Sequence, residues 1–154
     1  MDPQILKQEA HTLLSLIGIT PKDIRVVVDH DIHFTIISLR LKGNDAELLR
    51  DHNNDGLRSF NLIFKMLIEK KYHFYKDCII DINDEEIKLI NYTKEKAEIA
   101  LERVEFFDKP YTFGYLNAYE RMLIHQYLKN HPHIVSESEG EREERRLIIK
   151  KKDA

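Results

Sequence analysis

Apolar and polar positions change period several times along the chain, and each change predicts an element. Ile5, Ala10, Leu13, Leu14 and Ile17 recur at helical spacing, and Gly18 and Pro21 end the run. Residues 24–28 and 32–41 are β-branched runs, and Asp29-His30-Asp31 between them predicts a hairpin. Residues 43–55 read as a polar, turn-rich stretch around the pair Leu48-Leu49. Leu57, Phe60, Phe64, Leu67 and Lys71 then share one helical face. Cys78, Ile80 and Ile82 alternate as a strand, and Ile87, Ile90, Ala97, Leu101 and Val104 mark a long amphipathic helix closed by Lys109-Pro110.

The order is helix, strand, strand, helix, strand, helix, which predicts an α+β unit with one covered sheet face. A second, smaller α/β unit follows: a short strand near 111–116, a helix over 118–130, an acidic turn, and a strand over 145–150. The boundary is placed at Lys109-Pro110, giving residues 1–108 and 109–152.

Composition narrows the class. With 154 residues, 42% hydrophobic and 33% charged, the chain reads as globular and neither disordered nor fibrous. No apolar run is long enough to span a bilayer, and Met1-Asp2-Pro3-Gln4 has no signal-peptide character. The single cysteine, Cys78, excludes an internal disulfide and fits a reducing compartment, so a cytoplasmic location is expected. A net charge of −3 argues against a blanket electrostatic binder of nucleic acid. The charge is uneven, however. Residues 117–154 hold eight Lys/Arg against seven Asp/Glu, a net of +1, and the rest hold 16 against 20, a net of −4.

The chemistry concentrates in the helix over 118–130. Asn117 is suited to cap it, Glu120 completes a capping box, and Pro132 ends it. Tyr119, Met122, Leu123, Ile124, Tyr127 and Leu128 cover most of its circumference. The gap they leave holds Arg121, His125 and Lys129, stacked one turn apart. Such a stripe reads either as a solvated polar face or as a cationic surface. Guanidinium and imidazole are planar, stack on bases and donate to phosphate. No nucleophile or carboxylate stands at a spacing that would make His125 an enzyme's base, so a non-catalytic protein is expected.

Two segments carry a resemblance. Lys109-Pro-Tyr-Thr-Phe-Gly-Tyr-Leu-Asn-Ala-Tyr-Glu-Arg-Met-Leu-Ile-His125 resembles the R-three-H domain, named for an arginine and a histidine with three residues between them. Ser136-Glu-Ser138-Glu-Gly140-Glu, followed by Arg145-Arg146-Leu-Ile-Ile149, resembles that domain's closing turn and strand. The preceding half resembles a type II KH domain. The whole chain thereby resembles the Jag (SpoIIIJ-associated) family of bacterial RNA-binding proteins. The resemblance implies a KH type II-like α-β-β-α-β-α unit followed by a small α/β R-three-H domain. It implies binding of single-stranded RNA, or single-stranded DNA, through Arg121, His125, Ser138, Gly140, Arg145 and Arg146, to which the helix projection adds Lys129. No cofactor or metal is expected.

The KH half departs from its pattern. KH domains clamp a phosphate backbone with a Gly-x-x-Gly loop, where amides must approach phosphate without an intervening side chain. The corresponding residues here are Asp51-His52-Asn53-Asn54, a degenerate loop without glycine. Asn54 tolerates a left-handed backbone, but Asp51 and Asp55 put negative charge where phosphate would sit. Arg50, His52 and Arg58 offset this in part. An alternative function follows: an adaptor that pairs with another small KH protein and binds little nucleic acid itself. The same stretch, Asp51-His-Asn53-Asn-Asp55-Gly56, spells the opening of a calcium loop, but position twelve is Leu62 where a bidentate Glu is required. His131-Pro132-His133 near His125 invites zinc, yet the one cysteine lies in an expected core strand, too few ligands for a closed site.

Overall fold

The computed structural model describes residues 1–75 and 77–152, the side chain of His52 excepted. The chain divides into two compact units, Met1–Ile87 and Lys88–Ala154.

The first unit opens with α1 (Pro3–Leu16), capped by Asp2, whose carboxylate accepts from the Gln4 amide at 2.8 Å, with Pro3 in the first turn. Leu6, Ala10 and Leu14 recur four apart and are buried. β1 (Asp23–Asp29) and β2 (Phe34–Arg40) form the antiparallel hairpin. Asp29 Oδ1 accepts from the amides of Asp31 and Ile32 and so shapes the turn. β3 (Cys78–Ile82) pairs parallel to β2, a pairing that needs a crossover, and α2 (Gly43–Tyr72) supplies it. Ile24, Ile37, Leu39, Ile80 and Ile82 share one sheet face by register and pack with α1 and α2 into a core around Phe64 and Ile68.

Residues 43–55 are helical, not turn-rich as expected. Burial of Ala46 and Leu49 outweighs the weak helix preference of the polar residues around them. The helix is nevertheless broken: Asn53 and Asn54 are left-handed, with φ of 61° and 66°. A methyl group on Gly56 would meet the Leu49 carbonyl oxygen at 2.9 Å. In a straight helix those residues stand about 10 Å apart along the axis. α2 is therefore two arms folded on each other at the Asn-Asn turn, and Gly56 permits the close approach.

On the other sheet face a polar cluster is fully satisfied. Ser38 donates to buried Asp81 at 2.7 Å, and Asp81 accepts the amides of Asp84 and Glu86 at 3.0 and 2.8 Å, which caps α3 (Glu85–Phe107). Arg25 and Arg40 both pair with Asp84, at 2.5 and 2.6 Å. Burial alone would raise the Asp84 carboxyl, but the Ser38 hydroxyl and the two guanidiniums outweigh it and hold it below the usual range.

The second unit takes most of α3, then β4 (Tyr111–Thr112), α4 (Ala118–Leu128), β5 (Ile134–Glu139), a 3₁₀ turn at Arg142–Glu144, and β6 (Arg146–Lys151). The sheet order is β4-β6-β5, antiparallel throughout. The sequence placed the boundary at Lys109-Pro110. The units part at Ile87–Lys88 because Ala97, Ala100, Leu101 and Val104 of α3 belong to the second core, with Phe113, Ile124, Leu128 and Ile149. The stretch expected as an acidic turn begins as strand β5, which takes in Glu137 and Glu139, and only its second part, Glu141 to Glu144, is a turn. β5 itself gives the core only Ile134, and its partner β6 supplies Leu147 and Ile149.

Candidate nucleic-acid interface

α4 begins as its sequence requires. Asn117 accepts from the Glu120 amide and Glu120 accepts from the Asn117 amide, both at 2.9 Å. Leu123, Ile124 and Leu128 face the core, which leaves Arg121, His125 and Lys129 on an open stripe. Arg121 is half-buried and its Nη1 donates to the Leu116 carbonyl at 2.6 Å. This bond fixes the guanidinium without neutralising it, since among the described residues Arg121 has no carboxylate partner. His125 is exposed, and its Nδ1 stands 2.6 Å from the Ser136 hydroxyl of β5. That contact fixes the ring through Nδ1, and among the described residues Nε2 has no partner. Lys129 caps the helix and is exposed.

Strand register decides what joins this stripe. Cross-strand partners share a face, so Ser136 and Ser138 lie with Ile149 and Leu147 on the face that carries the core. Glu137 and Glu139 point to the opposite face, away from Ser136 and Ser138. There Glu137 pairs with Lys150 at 3.1 Å. The acidic run therefore does not screen the His125 side of β5.

Arg146, however, is opposite Glu139 and shares that other face, so the structure does not bring it to Arg121 and His125. Its Nη1 donates to the Glu143 and Arg145 carbonyls and braces the turn. Arg145 is exposed and extended two residues before Leu147, so strand alternation directs it to the His125 side. Gly140 is a structural requirement. Its φ is 88° and a methyl group there would meet the Glu144 carbonyl oxygen at 2.9 Å. Sequence reasoning singled out Ser138, whereas Ser136 is the residue that holds His125. The signal was the two-residue spacing shared by both serines, and register was needed to choose between them.

In the first unit, Asn53 and Asn54 form the left-handed break in α2 and Asp51 precedes it, with the His52 side chain outside the described residues. Arg58 pairs with Asp55 at 3.6 Å, and Arg50 donates to the Ile82 carbonyl and pairs with Glu85. Among the described residues, no group of three or more His, Cys, Asp or Glu side chains is placed to hold a metal ion. His133 pairs with Glu105 at 2.9 Å. Burial pushes the Cys78 thiol up to about 11, which leaves it unreactive at neutral pH.

The stripe, its serine partner and the closing strand lie in one segment, and a comparison with protein families identifies it. Residues 94–151 match the R-three-H domain. Such domains generally bind single-stranded nucleic acid. The match takes in the second half of α3, in keeping with that helix's place in the second core. No curated protein matches the chain. Among the described residues, no helix is long and apolar enough to cross a membrane.

Proposed function

We propose that the protein is a non-catalytic, cytoplasmic binder of single-stranded RNA that contacts it through Arg121, His125 and Lys129. The observation that carries this is how Arg121 is held: a backbone carbonyl fixes the guanidinium and leaves its charge for an anion. His125, fixed on Ser136, adds a planar donor one turn away, and Lys129 adds a second charge. Arg145 and Ser138 extend the same side of β5.

For Met1–Ile87 we propose a KH-type scaffold, and for the chain a place in the Jag family. The order α1-β1-β2-α2-β3, with the start of α3 after it, and the left-handed turn at Asn53-Asn54 support that reading. With Asp51 and Asp55 at the turn, the unit's phosphate clamp is weak. A second reading is a protein adaptor that pairs with another small KH protein. The exposed row Leu62, Ile63 and Met66 on α2 favours it.

Few cationic contacts imply a Kd of roughly 10⁻⁴–10⁻⁶ M at moderate salt. Fluorescence anisotropy with single-stranded RNA and DNA across a salt series tests the proposal. Wild type binds at low salt, and Arg121→Ala binds about tenfold more weakly with a log–log salt slope shallower by about 0.7. A wild-type protein that binds neither polymer at low salt refutes the function. Equal binding by Arg121→Ala refutes the site.

A further inference from the structure

The last turn of α3 exposes two adjacent phenylalanines, Phe106 at 83% and Phe107 at 62%, packed edge to face. Neither belongs to the core, which α3 supplies through Ala97, Ala100, Leu101 and Val104. Two large apolar rings kept in water beside each other mark a surface that something covers.

The surroundings indicate what that is. At 100° per residue, Tyr92, Lys96, Ile99, Arg103, Phe106 and Phe107 fall within an arc of about 100°, over about 22 Å of helix. No carboxylate falls inside that arc; Glu95, Glu98 and Glu102 lie beyond one edge. Aromatic or aliphatic side chains and cations therefore alternate along it. Lys96 sits 4.3 Å from the Tyr92 ring centre, although Glu120 also approaches it at 3.6 Å. Arg103 sits 5.6 Å from the Tyr111 ring centre and has no carboxylate partner among the described residues. Asp108 takes a left-handed φ of 55°, turning the chain back so that Lys109, Pro110 and Tyr111 close a shallow groove of about 440 Å³ with Phe107 and Arg103. Of the acids nearest the rings, Glu105 is met by His133 and Asp108 by Lys151 at 2.8 Å, while Glu102 borders the same surface. An apolar protein partner would strand the charges of Arg103 and Lys109. A single strand supplies a ring face for each phenylalanine and phosphate for each cation.

We propose that Arg103, Phe106, Phe107 and Lys109 form a second contact for single-stranded nucleic acid, in which bases stack on the phenylalanines and phosphates meet the two cations. It rests on the reading that the R-three-H segment binds such strands. Stacking here is tolerant of sequence, because every base has a π face.

The test uses the full chain, anisotropy on 4- and 12-nucleotide RNAs, and three variants: Phe106→Ser/Phe107→Ser, Arg103→Gln/Lys109→Gln and Arg121→Ala. The serine pair weakens 12-mer binding about tenfold or more, with little change in salt slope. The glutamine pair lowers the slope by about 1.4. The 4-mer, held at the Arg121 stripe, discriminates against Arg121→Ala and not against the serine pair. If the serine pair binds the 12-mer as wild type does while Arg121→Ala loses affinity, the second contact is refuted and the first stands. If the serine pair leaves RNA binding intact but abolishes self-association in light scattering, the face is a protein interface and the inference fails. If wild type binds neither RNA, both readings fall.

Discussion

The arginines of the two units are held in different ways. In Met1–Ile87, Arg25 and Arg40 close on Asp84, Arg50 on Glu85 and Arg58 on Asp55, so each charge is met by a carboxylate of the protein itself. In Lys88–Ala154, Arg121 donates to the Leu116 carbonyl, Arg146 to the Glu143 and Arg145 carbonyls, and Arg103 lies by a tyrosine ring. Neutral acceptors fix a guanidinium in place but leave its field unscreened. A charge satisfied inside the fold contributes to stability, whereas one only positioned is available to a ligand. On this basis charge substitutions should separate cleanly: in the first unit they lower stability, and in the second they lower binding.

The sharpest way to break that division is at Asp81. It is fully buried, and it accepts from Ser38 and from two amides that begin α3. Asp81→Ala strands the Asp84 and Glu86 amides, the Ser38 hydroxyl keeping Asp84 Oδ1 at 3.1 Å, and the unfolding free energy should fall by about 3 kcal/mol in urea. RNA affinity, measured where the variant is folded, should stay within about twofold of wild type. A loss below about 0.5 kcal/mol would mean that the cluster is surface decoration and the contrast between the units is empty.

How much of this could be read in advance depends on whether the information was local. The β-branched runs, the capping box at Asn117–Glu120 and the four-residue spacing of Arg121, His125 and Lys129 are local, and the structure places them as their spacing requires. The first arm of α2 was hidden, because Asn44, Asp45, Asn53 and Asn54 are turn formers and the burial of Ala46 and Leu49 that overrides them is tertiary. β5 was hidden for a similar reason: Ser136-Glu137-Ser138-Glu139 has no apolar alternation, and its strand exists through register with β6. The same register sends Arg146 to the far face and Ser136 to His125. A one-residue slip would have reversed both.

A smaller effect comes from Glu9. It is buried, and it accepts from Lys71 Nζ at 2.6 Å and from the Tyr72 hydroxyl at 2.5 Å, joining α1 to the end of α2. Those two donors, Lys71 first, hold its carboxyl below the ordinary value of 4.5 despite burial. A carboxyl depressed in the folded state contributes stability that is present above its unfolded value and is lost as pH falls through the folded one. Wild type should therefore lose stability on acidification below about pH 4.5, and Glu9→Gln should flatten that limb. At pH 7 the glutamine variant should be less stable by about 1–2 kcal/mol, since a neutral amide is a weaker acceptor for the ammonium. An unchanged acid limb would place the acid sensitivity elsewhere, with Asp84 the next carboxylate held low.

The smallest stability effect should be at Lys129, and its smallness is informative. The side chain is exposed at the end of α4, pairs with no carboxylate among the described residues, and fills no part of the core. Surface substitutions of this kind stay within about 0.5 kcal/mol. Loss of a cation from the last turn forfeits only a few tenths through the helix dipole. Lys129→Ala should thus unfold at the wild-type urea midpoint within error, while its anisotropy salt slope on single-stranded RNA becomes shallower by about 0.7. A stability loss matching that of Asp81→Ala would show that the stripe is part of the scaffold. A wild-type slope would remove Lys129 from the contact and confine the first site to Arg121 and His125. Between those outcomes lies the division drawn from the arginines: a cation that the fold does not need and an anionic strand can use.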